Sequence, residues 1–308
     1  MYALLYSLVY LLSLIPRRTG LRIGNFVGMV LYYGLSRRRN ITLQNLATAF
    51  GDQKDRAERK RIAKKSFQFM GRHALEVCYL LRTNKEKLAS YIQIKGKDNF
   101  ERAKEQGKGV VCLTGHFGCW ELLAVGAAFF HTPGYVVAKP LDFQPAEKLT
   151  QTIRGISGNQ CVSKEKSMRR LFQLLAQGNW VAILLDQNID WKDGVFVPFF
   201  NKLACTNKGL ALIVWKTQVP VVPTFIIDQG GGQYLIDVQP ALPWLTFGDR
   251  TKEIEENTAQ YIQVIEAMAR QYPDHYFWVH QRWKTRPYQP WPRKDQARSR
   301  RQREDISQ

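Results

Sequence analysis

The chain has 308 residues, 45% hydrophobic and 23% charged, which excludes both a disordered chain and a polytopic membrane protein. Its 45 Lys and Arg outnumber 26 Asp and Glu, for a formal charge of +19, so an anionic partner is expected: nucleic acid, an acidic protein or an anionic membrane surface. Five cysteines (Cys78, Cys112, Cys119, Cys161, Cys205) are odd in number, widely spaced and without a CxxC pair, which argues against a disulfide framework or a zinc ribbon. Cys112 lies in the apolar run Val110-Val111-Cys112-Leu113 and reads as a packed strand residue rather than a reactive thiol.

The first element, Tyr2 to Ile15, is uncharged and rich in Leu and Tyr, and Pro16-Arg17-Arg18 stops it. It is shorter than the roughly 20 residues that cross a bilayer comfortably. A second apolar stretch, Ile23 to Leu35, is interrupted by Gly24, Asn25, Gly28 and Gly34 and closed by Arg37-Arg38-Arg39. Both basic clusters follow their apolar runs, the reverse of a cleaved signal peptide. Residues 1–39 therefore read as an N-terminal helical membrane anchor. It either spans the membrane with tilt or lies in the interface, with the arginines on anionic headgroups. A buried hairpin of helices is the alternative.

Residues 40–290 read as one catalytic-size domain. The pattern is helical from Asn40 to about Leu88, with apolar positions recurring at Phe67, Met70, Leu75 and Leu81. Ile92–Ile94 is a short strand before a helix at Asp98–Gln106. Strands then alternate with helices. Gly109–Thr114 is a strand, Trp120–Phe130 a helix, Tyr135–Ala138 a strand, and Pro145–Ile156 and Ser167–Gln177 are helices. Trp180–Leu185 is a fully apolar strand, Asn207–Lys216 a helix, Val219–Ile227 and Tyr234–Val238 strands, and Glu253–Arg270 a final long helix. This order implies an α/β fold with a mostly parallel or mixed central sheet flanked by helices. Residues 291–308 are basic and nearly free of apolar side chains, so a disordered tail is expected.

The sharpest feature is Thr114-Gly115-His116-Phe117-Gly118-Cys119-Trp120-Glu121 at a strand-to-helix junction. In open α/β sheets ligands bind at the carboxyl ends of strands, where His116 falls. Five residues along a straight helix would point about 140° apart. His116 and Glu121 can meet only if the histidine is in the loop and the glutamate in the first helical turns. The imidazole could then take a proton from an attacking hydroxyl while the carboxylate fixes its tautomer. The spacing alone fits a loop histidine beside a surface glutamate equally well. Asp186, at the end of the strand Trp180–Leu185, either binds a substrate, braces that pair or caps a turn. His73, His131 and His275 have no carboxylate at a telling spacing and read as structural.

With these residues in view, the chain resembles the lysophospholipid acyltransferase superfamily, through His116-x-x-x-x-Glu121. More narrowly it resembles the bacterial lipid A biosynthesis (late, or secondary) acyltransferases. The further blocks are Leu185-Asp186-Gln187, Gly194-Val195-Phe196-Val197-Pro198-Phe199-Phe200, Ala204-Cys205-Thr206, Pro220-Val221-Val222-Pro223 and Trp278-Val279-His280-Gln281-Arg282-Trp283-Lys284-Thr285-Arg286-Pro287. Gln281 stands where Arg is commoner in the family, and Asn201 where Gly is.

The resemblance implies transfer of a fatty acyl group from acyl carrier protein to a hydroxyl of a lipid A precursor. The catalytic domain would face the cytoplasm at the bacterial inner membrane. His116 would be the general base and Glu121 its orienting partner. Arg154, then Lys139, are candidates for the oxyanion or a lipid phosphate. Asp186 and Gln187 are substrate-side candidates, and Phe196, Pro198, Phe199 and Phe200 candidates for the wall of an acyl pocket or plain core.

His280, Arg282, Lys284 and Arg286, with Trp278 and Trp283, read as a headgroup-binding cluster or a solvated basic segment. No metal and no cofactor are implied beyond acyl-acyl carrier protein or acyl-coenzyme A as co-substrate. The sequence leaves open a lysophospholipid or glycolipid acceptor, and either donor. A hydrolase with a GxSxG elbow and a nucleic-acid-binding protein are disfavoured, because neither the elbow nor a recognition motif occurs.

Overall fold

The structure, a computed structural model, describes residues 1–164 and 167–287; the expected tail at 291–308 lies outside the described residues. The chain opens with four helices, α1 (Tyr2–Leu14), α2 (Arg17–Gly34), α3 (Ser36–Phe50) and α4 (Arg56–Leu80). Asp55 starts α4 by accepting the Glu58 amide at 2.7 Å, satisfying an otherwise orphaned N–H. The short α5 (Lys85–Ala89) leads into the sheet.

From there strands and helices alternate: β1 (Ile92–Lys95), α6 (Lys97–Lys104), β2 (Val110–Thr114), α7 (Trp120–Phe130), β3 (Tyr135–Ala138), α8 (Gln144–Gly155), β4 (Gln160–Ser163), α9 (Met168–Ala176) and β5 (Trp180–Leu184). Then come the hairpin β6 (Gly194–Phe199) and β7 (Lys202–Asn207), helix α10 (Gly209–Thr217), strands β8 (Val221–Gly230) and β9 (Gln233–Val238), and helix α11 (Arg250–Gln271).

Seven strands form one sheet in the order β1-β9-β8-β2-β5-β3-β4, and every pairing is parallel except β8 with β9. Apolar runs such as Val110–Leu113 occupy central positions because both faces of a parallel sheet are covered by helices. Thr114 and Leu184 pair at the carboxyl ends of β2 and β5. That register, continued two residues beyond both strands, places His116 opposite Asp186.

The run Gly194–Phe200 forms an antiparallel hairpin outside the main sheet. Phe199 and Phe200 are buried among Phe50, Tyr276, Trp278 and Trp283, so these two are core rather than pocket wall, whereas Phe196 is half-buried and Pro198 exposed.

The N-terminal helices pack on the body. Helix α2 lies along α4 with almost no space between the backbones: a Cβ added to Gly28 would sit 2.2 Å from the Phe67 carbonyl oxygen, and one added to Gly71 2.0 Å from that of Gly24. Only glycine permits this approach. Arg17 does not face headgroups, as the anchor reading expected. Its Nε and Nη2 donate to the buried Glu76 at 3.1 and 2.5 Å, and Tyr234 adds a hydroxyl bond at 3.1 Å. A buried carboxylate needs such partners, and this one bolts the start of α2 to α4 and β9.

Leu4, Leu8, Leu11, Phe26, Val30 and Tyr33 remain exposed on the outer side of α1 and α2. Among the described residues no helix is long and apolar enough to cross a membrane, so a spanning anchor has no support here.

Candidate active site

His116 leaves the end of β2 in a loop pinned at several points. Gly118 has φ +61°, and a Cβ there would meet the Ile226 carbonyl oxygen at 2.0 Å, so the turn requires glycine. Its amide donates to the His275 carbonyl at 3.0 Å, and the Phe277 amide donates to the His116 carbonyl at 3.0 Å. The ring of Trp120 stands 5.2 Å from that of His116 and 4.1 Å from that of His73.

Asp186 is the carboxylate on His116. Its Oδ1 lies 2.8 Å from His116 Nδ1, and its Oδ2 accepts the His116 amide at 2.9 Å. Burial opposes its charge, but the His116 ring and amide outweigh that cost and hold the carboxyl at about 2. On the other edge of the imidazole, the Gln187 amide nitrogen sits 3.1 Å from Nε2. An amide nitrogen has only protons to offer, so Nε2 is the acceptor and Nδ1 carries the proton shared with Asp186. That is the tautomer a general base needs.

The expected pairing of His116 with Glu121 is not what the fold forms. Glu121, in the first turn of α7, points across to α8, where Arg154 Nε and Nη2 donate to its two oxygens at 2.8 and 2.5 Å. Burial works against the Glu121 charge, yet the bidentate guanidinium holds its carboxyl below the usual range. The reason is directional: the helix turns Glu121 away, whereas the sheet register delivers Asp186. His116, Glu121, Arg154, Lys139 and Gln187 nevertheless line one cavity of about 500 Å³.

That cavity lies between one face of the sheet and helices α7 and α8. Cys112 and Thr114 of β2, Trp180, Ala182 and Leu184 of β5 and Thr224 of β8 alternate along their strands to floor it; Leu123, Ala124 and Ala127 roof it. From Trp180 to Leu184 the floor runs about 13 Å at roughly 3.3 Å per residue. Burial pushes the Cys112 thiol up to about 12, so it lines the floor as an apolar group. Lys164 joins Lys139 at the rim; no spacing in the sequence signalled it.

The C-terminal cluster splits. Arg282 is 2% exposed and donates to the Cys205 carbonyl and Thr206 Oγ1, with its guanidinium 5.2 Å over the Phe199 ring. It is therefore not a headgroup ligand: strand β7 buries it, and its charge is felt at Asp186. His280 Nε2 accepts the Asn188 amide at 3.1 Å and Asn188 Oδ1 accepts the Thr285 amide at 3.0 Å, bracing the loop after Gln187. Lys284 and Arg286 are exposed.

His73 is buried in a largely apolar setting. Burial lowers its pKa to about 4, so it stays neutral beside Trp120 at ordinary pH. His275 stacks on Phe117, and His131 pairs with Glu101.

A histidine with a buried aspartate on one nitrogen and an apolar cavity on the other defines a site suited to moving a proton from a hydroxyl beside a long apolar substrate. The comparisons identify the class. Residues 2–285 match the family model described as bacterial lipid A biosynthesis acyltransferase.

Similar proteins include the lipid A biosynthesis lauroyltransferase of Escherichia coli strain K12, 26% identical over 287 residues, covering 91% of this chain and 90% of the relative. The palmitoleoyltransferase of the same organism is 25% identical over 269 residues (86% and 85%). Its myristoyltransferase is 25% identical over 288 residues (89% and 83%). The chain belongs to the bacterial lipid A biosynthesis acyltransferase family, and it is an O-acyltransferase.

Proposed function

We propose that this enzyme transfers a fatty acyl group from acyl-acyl carrier protein to a hydroxyl of a lipid A precursor at the cytoplasmic face of the inner membrane, with His116 as general base. The observation that carries this reading is the His116 imidazole at the cavity with the buried Asp186 carboxylate 2.8 Å from its Nδ1. The acceptor hydroxyl takes the place of the Gln187 amide at Nε2 and gives up its proton there. Its oxygen attacks the thioester carbonyl, and Asp186 stabilises the imidazolium that results.

Arg154, which lines the cavity and is held by Glu121, is the proposed oxyanion donor, with Lys139 second. Collapse expels the thiolate, which recovers the proton from Nε2. The acyl chain lies along the apolar floor toward Trp180. The exposed Leu and Phe side chains of α1 and α2 rest in the interface as a monotopic anchor.

The test is lipid mass spectrometry on cells lacking the protein, complemented with wild type or His116→Ala. Loss of one acyl mass from lipid A, restored by wild type alone, supports the reading. An unchanged lipid A with another lipid deacylated transfers the chemistry to a lysophospholipid or glycolipid acceptor. Full rescue by His116→Ala removes the base assignment.

A further inference from the structure

A second cavity, of about 450 Å³, lies between α2, α4 and the β8–β9 turn and shares no lining residue with the acyl cavity; it is lined by Arg18, Leu21, Arg22, Asn25, Arg72, Asp228 and the turn Gly230–Gly232. Its charge is unbalanced. Arg72 is already spent: its Nη2 donates to Asp228 at 3.0 Å and its Nη1 to Asn25 at 2.6 Å. That leaves Arg18 and Arg22, one helical turn apart on α2, exposed and without an ion pair among the described residues. Like charges at this spacing repel unless an anion lies between them. The glycine turn on the cleft's wall leaves the backbone of Gly230 and Gly231 open, since a Cβ there would meet nothing within 4 Å, while Arg17 and Leu21 cover Gly232.

We propose that this cleft binds the phosphate group of a membrane lipid, with Arg18 and Arg22 as its ligands and Arg72 as the fixed charge behind them. Guanidinium forks match phosphate oxygens in charge and geometry. The lipid, rather than free phosphate, is favoured by what adjoins the cleft. Ile23, Phe26 and Val30 follow Arg22 around α2 and are exposed, so a phosphate in the cleft lies where acyl chains would cover that apolar strip. Arg72 lines the cleft, and the next residue of α4, His73, packs on Trp120, which packs on His116. The inference deepens the proposed reading of a lipid acceptor, but its test needs no turnover.

The test is binding of water-soluble short-chain phosphatidic acid to the full chain by calorimetry. The probes are the phosphatidic acid, the same diacylglycerol without phosphate, and inorganic phosphate alone. The variants are Arg18→Ala with Arg22→Ala, both exposed, and a charge-matched control, Lys104→Ala with Lys108→Ala, at the end of α6 and in the turn before β2, outside the cleft.

Saturable binding of the phosphatidic acid is expected. It should weaken roughly 30-fold in the arginine double variant, the scale of two basic residues at an anionic lipid, and hold within about twofold in the control. Equal binding by the arginine double variant overturns the site. Equal binding of the dephosphorylated lipid overturns the phosphate, and equal binding of inorganic phosphate overturns the lipid. Because turnover is not read, failure of acyl transfer and failure of this cleft are separate results.

Discussion

Two buried carboxylates lie beside the cavity that His116 lines, and the fold treats them differently. Asp186 comes off the end of a central parallel strand and meets His116 through the register that pairs Thr114 with Leu184. Glu121 comes from the first turn of α7 and is satisfied by Arg154 of α8, so its charge is balanced before any substrate arrives. The carboxyl ends of β2 and β5 therefore bring an imidazole and a buried carboxylate together, while α7 and α8 bring together a carboxylate and a guanidinium. The carboxylate five residues from the histidine serves the arginine; the one 70 residues away serves the histidine.

The sharpest way to break this comparison is to remove the base. His116→Ala should lower acyl transfer roughly 10³- to 10⁴-fold with an unchanged melting temperature, measured with purified enzyme and labelled donor. Next comes Asp186→Asn, which presents an amide to Nδ1 and favours the wrong tautomer. A fall in kcat of roughly 10²- to 10³-fold with little change in KM is expected, and an equal or larger loss for Glu121→Gln in kcat alone would reverse the two roles.

The Glu121–Arg154 pair is instead expected to register first in stability. Both side chains are mostly buried, so Glu121→Gln or Arg154→Gln alone leaves an uncompensated group and should cost about 3–5 kcal/mol in denaturant melts. Glu121→Leu with Arg154→Met should recover most of that loss and still be slow in transfer.

A smaller effect separates the two regions by pH. His73 lies beneath Trp120 with its pKa lowered from 6.5 to about 4. Between those values the unfolded chain binds more protons than the folded one, so stability is full above pH 6.5 and declines as pH falls toward 4. The accumulated loss is about 3 kcal/mol. His73→Phe should flatten that limb, read from thermal melts between pH 4 and 7. An unchanged slope would place the titration elsewhere. The smallest effect is on chain length. Ala127→Leu narrows the roof of the cavity, and the rate ratio of long to short acyl donors should fall about tenfold, with no shift in the ratio for the same substitution at the exposed Ala57.

Much of the site was legible in the sequence, for reasons that differ residue by residue. The apolar strand Val110–Thr114 ending in Gly-His placed His116 at the working edge of a parallel sheet, because strand burial and glycine-bounded turns are local properties. The apolar strand ending at Asp186 did the same for the aspartate, leaving its partner undetermined. Arg154 and Lys139 reached the cavity as anticipated. Arg282 did not remain a surface cation, because only the packing of β7 against the C-terminal segment could reveal that Cys205 and Thr206 accept its hydrogen bonds. Phe199 and Phe200 went into the core for the same reason.

By itself the sequence determined the α/β alternation, the position of His116 at the end of β2 and the family, since these rest on periodicity, turn chemistry and contiguous motifs. Only the tertiary structure decided which carboxylate meets the imidazole, because that is set by strand register across the sheet. It also decided that α1 and α2 fold back onto α4, because that depends on glycine backbones brought into contact across nearly fifty residues of chain.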